Sequence, residues 1–193
     1  MEYALAMNEG PDTIKAGTGL LLFHPSTGET DRIDTDFFKE DTDAFLVIST
    51  RTTAREVEQK LEFYDVDESS AVILDTLSVE RGYSRRPAEH IHYVSSPDDL
   101  GGILECTRRF LESHDGKRRV SVDSITELSY YTEDEEAVFE VMTELLALLR
   151  EFDAVGLFHL SPEVHNQELL ARYQGTFDGT INLSEDGEVD VSI

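Results

Sequence analysis

Cysteine is nearly missing from this chain of 193 residues: Cys106 stands alone, so no disulfide can close within it and no cysteine-based zinc site can form. Basic side chains are also scarce. Lys and Arg number 16, only four of them Lys, against 41 Asp and Glu, giving a formal net charge of −25 and a pI near 4.3. That deficit removes the positive footprint that DNA, RNA or an anionic membrane surface requires, so none of these is expected as a partner. Long apolar runs are lacking too: nothing approaches the roughly 20 residues that cross a bilayer, and no basic stretch followed by an apolar one opens the chain. A soluble, cytoplasmic protein is the expectation, and 193 residues suit one domain with a single buried core.

What is present in excess is acid, spread between the apolar positions along the whole length rather than gathered into a tail. Dispersed Asp and Glu with few Lys keeps a surface hydrated in concentrated salt, where screening removes most of the self-repulsion. The salt-rich cytoplasm of an extreme halophile is therefore the expected setting, with an ordinary acidic cytosolic protein as the alternative.

Apolar segments fall at 20–23, 44–49, 71–74, 120–122, 154–160, 179–183 and 188–193. The first five alternate with amphipathic stretches at about 30–38, 53–64, 97–113 and 133–152, and a short helix is expected around 163–173. Thr53 and Glu56 have capping-box spacing. Ser96-Pro97-Asp98-Asp99 combines an N-cap, Pro at the first helical position and acid in the first turn. Asp186-Gly187 signals a hairpin over 179–193. Residues 1–18 read as a cap or edge strand. Strands alternating with helices predict a single three-layer α/β/α domain over 1–193 with a mainly parallel sheet of about seven strands.

Two stretches suggest chemistry. Residues 20–30, LLLFHPSTGET, run from a buried strand through a Gly-containing turn to a helix start, the local geometry that cradles phosphate. Laid on the pattern G-x-x-x-x-G-K-[ST], Gly28 and Thr30 match, but Phe23 replaces the first Gly and Glu29 replaces the Lys. A carboxylate at that place would face phosphate with like charge. Residues 119–131, RVSVDSITELSYY, present an apolar strand ending in Asp123-Ser124, where a carboxylate can hold magnesium through water. The structural alternative is an Asp-Ser pair satisfying backbone groups at the sheet edge.

With this order of elements, the chain resembles the RecA/KaiC-like branch of P-loop proteins, and more closely degenerate KaiC-like proteins of halophilic archaea. The resemblance spans 19–183 and rests on SSPDDLGGILE (95–105), VSVDSITELSYY (120–131) and LLALLREFDAVGLFHL (145–160). It implies the strand order 3-2-4-5-1-6-7 with the last strand antiparallel. It also equates 23–30 with the phosphate loop and 50–52 with the position of the catalytic carboxylates, where this chain has Thr50, Arg51 and Thr52. Only Thr30 and Asp123 then remain on the magnesium side, and no general base that orients water is retained.

The expected candidate site is thus a vestigial nucleotide cleft of Ser26, Thr27, Gly28, Glu29, Thr30, Arg51, Asp123 and Ser124, with no catalytic residue and no metal ligand. Arg51 and Glu29 are expected to pair there, with two solvated charges as the alternative. His24, His90, His92 and His159 read as structural, and Arg81, Arg85 and Arg86 as a loop salt-bridged to neighbouring acids. Cys106 reads as a small buried hydrophobe, and Ser26 and Ser124 have no triad partners at interpretable spacing. The functional expectation is a non-catalytic regulatory or protein-interaction module without a required cofactor. The alternatives are a divergent protein that still holds a mononucleotide with Mg, and a self-associating homo-oligomeric scaffold.

Overall fold

The computed structural model describes residues 1–7, 10–26 and 29–193. The first two strands, β1 (Glu2–Ala4) and β2 (Thr13–Lys15), pair antiparallel into a small sheet of their own, so the N-terminal segment is a cap and not an edge strand of the main sheet. Arg119 fastens it. This guanidinium, wholly buried, donates to the Ala4 and Glu40 carbonyls and to Thr42 Oγ1, and lies 5.2 Å from the Tyr3 ring and 5.0 Å from the Phe37 ring. Burial lowers its pKa to about 10.

The main chain path then alternates strand and helix: β3 (Gly19–Phe23), α1 (Asp31–Lys39), β4 (Ala44–Ser49), α2 (Ala54–Phe63), β5 (Ala71–Asp75), β6 (Ile91–Tyr93), α3 (Leu100–Ser113) and β7 (Arg118–Asp123). It continues through α4 (Ile125–Thr132), α5 (Glu135–Glu151), β8 (Val155–Leu160), α6 (Gln167–Thr176), β9 (Gly179–Leu183) and β10 (Val189–Ser192). The sheet order is β10-β9-β3-β8-β7-β4-β5-β6, parallel except for β10. The expected order is recovered, with eight strands instead of about seven. The additional one is β6, three residues that add to the outside of β5.

Two-residue alternation divides the core. Leu20, Leu22, Phe45 and Val47 face α1, α2 and the N-terminal cap, whereas Leu21, Phe23, Leu46 and Ile48 face α3, α4, α5 and α6. Burial of both faces explains why these strands are apolar throughout. Helix α5 lies close against the sheet because Gly19 and Gly156 are register partners on β3 and β8. A Cβ at Gly19 would stand 2.1 Å from Leu146 Cδ2, and one at Gly156 2.6 Å from Leu149 Cδ1.

Helix boundaries depart from the sequence reading in three places. Helix α3 starts at Leu100 and not Pro97, because Asp99 is the residue whose carboxylate accepts the Gly102 N–H, while Ser96 and Pro97 sit in a preceding turn. The long helix is preceded by the separate α4, which Ser124 caps and which ends at Glu133 in the left-handed conformation. The segment expected as one helix at 163–173 is a short 3₁₀ turn, Pro162–Val164, followed by α6 capped by Asn166. Thr30 precedes α1 without a side-chain capping bond. The Thr53–Glu56 capping box is formed as its spacing predicts.

Candidate functional site at the carboxyl edge of the sheet

The central strands β3, β8, β7 and β4 end together, and their last residues deliver polar side chains to one edge. On β7, Val120 and Val122 face α5, so the alternation turns Ser121 and Asp123 toward α1 and α2. On β8, Leu157 faces α1 and α2, so His159 does as well. Val122 and Phe158 are register partners, so Asp123 and His159 follow side by side.

A chain of charges fills this corner. Arg51 donates from Nε and Nη2 to Asp123 Oδ1, each at 2.8 Å. Asp123 Oδ1 stands 3.8 Å from His159 Nδ1, and His159 Nε2 is 2.5 Å from Asp34 Oδ1. Lys60, on α2, donates to Asp34 Oδ2 at 3.0 Å and lies 3.5 Å from Asp31. Asp34 is 2% exposed and His159 wholly buried, so each charge depends on its neighbours.

Burial alone would raise the Asp34 carboxyl, but the His159 and Lys60 charges outweigh it and hold the group far below the usual carboxylate range. Burial would lower the Lys60 ammonium; Asp34, Asp123 and Asp31 reverse that and push it well up. His159 follows the same logic, its desolvation overcome by Asp34 and then Asp123, so its pKa is raised. For His24, beside it with ring centroids 5.3 Å apart, burial followed by His159 outweighs the pull of Asp123 and lowers its pKa.

Of the residues expected here from sequence, Arg51, Asp123 and Ser124 come together. Thr50 joins them, its hydroxyl donating to the Asp123 carbonyl and accepting from the Ser124 N–H. The expected Arg51–Glu29 pair does not form: Arg51 is taken by Asp123, while Glu29 is exposed at the mouth of an open cleft. Thr30 is buried. The Ser26 N–H donates to Glu163 Oε1. Thr27 and Gly28 lie outside the described residues. Ser124 closes the first turn of α4 by accepting from Glu127 N–H.

The other candidates separate by partner. Arg86 pairs with Glu58, as expected of a salt-bridged loop, and His90 shares that carboxylate, whereas Arg81 donates to the Tyr131 hydroxyl instead of an acid. Cys106 is only half-buried. Thr126 Oγ1, His165 and Glu135 line up with spacings of 3.0 and 3.1 Å. The hydroxyl oxygen also accepts the Ser161 N–H, so this row fastens the segment after β8 to α4 and α5.

Asp34 and Lys60 were missed in the sequence. The available signal was an acid set between Ile33 and Phe37 on the apolar stripe of α1, where a solvated Asp would not be placed.

The carboxyl-edge corner and the strand order invite comparison with known proteins. Comparison with curated proteins finds no match. Among solved structures, a KaiC-like protein of the hyperthermophilic archaeon Pyrococcus horikoshii aligns with TM-score 0.60 at 16% identity, over 91% of this chain and 76% of that one. An ATPase from the type III secretion system of pathogenic bacteria aligns with TM-score 0.62 at 12% identity, over 90% of this chain and 53% of its own. An uncharacterised Pyrococcus horikoshii protein, crystallised with an unknown peptide, aligns with TM-score 0.61 at 14% identity, over 92% and 83%. Identities this low establish the RecA/KaiC-like fold and nothing finer. Across residues 1–193 the sequence matches the model of a family of unknown function, DUF7090, and the chain belongs to that family.

Proposed function

We propose that this protein is a non-hydrolysing module on a RecA/KaiC-like scaffold that acts by recognising a protein partner, in the cytoplasm of a halophile. The observation that carries the reading is the Asp123 carboxylate: the oxygen nearest His159 already accepts two N–H groups from Arg51, a residue that stands where the resemblance expects a catalytic acid. Magnesium and a nucleoside triphosphate do not suit these residues. Magnesium, which selects oxygen ligands and dehydrates reluctantly, meets only a carboxylate already bonded to Arg51, and Glu29 brings negative charge where phosphate would need an ammonium.

A cleft of about 990 Å³ opens beside this edge, between α1 and the turn joining β9 to β10. Met7, Ile33, Leu183 and Val189 give it an apolar floor, and Glu29, Glu185 and Asp186 an acidic rim, on which Asp36 pairs with Arg32. That lining suits a basic, partly apolar segment of a partner. The net charge of −25 supports a salt-rich setting.

Thermal unfolding in molar KCl with millimolar ATP, ADP or GTP and Mg²⁺ tests the reading. No displacement of the midpoint and no phosphate release are expected. A nucleotide bound a hundredfold above its Kd would add about 2.7 kcal/mol, or roughly 5–11 °C for a chain of this size. Such a shift would favour the nucleotide-holding alternative.

A further inference from the structure

Asp34, Asp123 and His159 each offer a donor atom within 4.8 Å of the others. Three features distinguish this cluster from an ordinary ion-pair chain. His159 Nε2 is held by Asp34, which fixes the ring and leaves Nδ1 as its remaining donor. That Nδ1 is wholly buried, has no hydrogen-bond partner among the described residues, and faces Asp123 Oδ1 at 3.8 Å, too far for a hydrogen bond. Two ligands of one tetrahedral ion, with bonds of about 2.0–2.2 Å, stand roughly 3.4 Å apart, so closing the gap by a few tenths of an ångström seats a metal between them.

A second buried imidazole lies alongside. His24 is 1% exposed, its Nδ1 is engaged with the Pro25 carbonyl at 2.8 Å, and its Nε2 is likewise without a partner among the described residues. Two stranded imidazole nitrogens in one buried corner point to a ligand that prefers nitrogen.

We propose that Asp123 and His159 Nδ1 bind a single divalent transition-metal ion of the zinc class, with Asp34 orienting His159 through Nε2 and the His24 ring alongside. A carboxylate holding the far nitrogen of a metal-binding imidazole is the usual support for such a site. Imidazole excludes Mg²⁺ and Ca²⁺ as the preferred ions, since these select oxygen ligands. Entry of the ion releases the His159 Nδ1 proton to solvent and displaces Arg51 from Asp123; the arginine side chain is 29% exposed and turns into solvent. The corner then holds Asp31, Asp34 and Asp123 against Lys60 and a dication, which balances. Arg51 thereby becomes the element that reports the metal to the surface.

The test uses the full chain, freed of metal by a chelator, in molar KCl at pH 8. One equivalent of Co²⁺ should give a visible ligand-field absorption that Zn²⁺ abolishes and a hundredfold excess of Mg²⁺ does not. His159→Gln should abolish it, and Asp34→Asn should weaken binding roughly 10–100-fold. Because losing a buried imidazole can itself unfold the chain, the unmodified protein supplies a second readout: the ring ¹⁵N resonance of His159 Nδ1 should shift on adding Zn²⁺. An unmoved Nδ1 resonance overturns the assignment. So does a weak octahedral cobalt spectrum that persists in folded His159→Gln, which would mean surface carboxylates only. Nucleotide enters none of these measurements, so their outcome stands apart from the reading of the cleft.

Discussion

Replacing Asp34 by Asn keeps the shape of the side chain and one acceptor while removing the charge on which two buried cations depend. Lys60 Nζ at 3.0 Å and His159 Nε2 at 2.5 Å both lose their counter-ion, and the Lys60 side chain is only 16% exposed. Removing one partner of a buried pair costs about 3–5 kcal/mol. Asp31 and Asp123 still face the cations and the amide still accepts one bond, so the lower end, about 3 kcal/mol, is expected. For a chain of this length that is roughly 6–12 °C in melting midpoint.

The pH dependence has a definite sign. The folded carboxyl titrates below its unfolded value of about 3.9, so its contribution is fully present above that pH and is lost as the pH falls below it. The stability difference between the two proteins should therefore shrink in acid, and should also fall as the pH rises through the raised His159 pKa, where the imidazole loses the charge that Asp34 holds. Denaturant unfolding at fixed KCl, from pH 7 down to the lowest pH at which folding persists, measures it. Lys60→Met alone and with Asp34→Asn completes the cycle, and the double variant should lose at least about 1 kcal/mol less than the sum of the single losses. A loss below about 1 kcal/mol for Asp34→Asn, or a difference indifferent to acid, would refute the view that this corner is held by mutual charge.

Gly156→Ala places a methyl 2.6 Å from Leu149 Cδ1 and should destabilise by about 1–3 kcal/mol in denaturant titration, with Gly19→Ala behaving alike; a neutral result would mean that α5 shifts freely on the sheet. Burial pushes the Cys106 thiol up to about 11. Its alkylation by iodoacetamide at pH 8 should therefore run on the order of a hundredfold slower than that of an unperturbed cysteine, and a rate within tenfold of the unfolded chain would contradict that.

The architecture was legible because it is written in short periods. The unbroken apolar run Leu20–Phe23 and the helical stripe on α1 depend only on neighbours within a few residues. The Asp-Gly turn and the Thr53–Glu56 box are equally local. The strand order came from resemblance, and only β6 was added to it: three residues carry too little periodicity to separate a strand from an apolar loop. Helix α4 is not distinct in the sequence because it is short and follows directly on β7, with Ser124 at once ending the strand and capping the helix.

The site divides on the same principle. Sequence alone determined that an acid, Glu29, stands at the usual lysine position and that Arg51 follows β4, since those are matters of identity and spacing. Which carboxylate Arg51 would choose depends on where separate strands end. It met Asp123, 72 positions away, and not the nearer Glu29. The union of Asp34, Lys60 and His159 was likewise decided only by folding, because α1, α2 and β8 converge on one buried corner from segments up to 125 residues apart. In low dielectric the charge on each of these groups is set by the others, and no local pattern encodes a neighbour that distant.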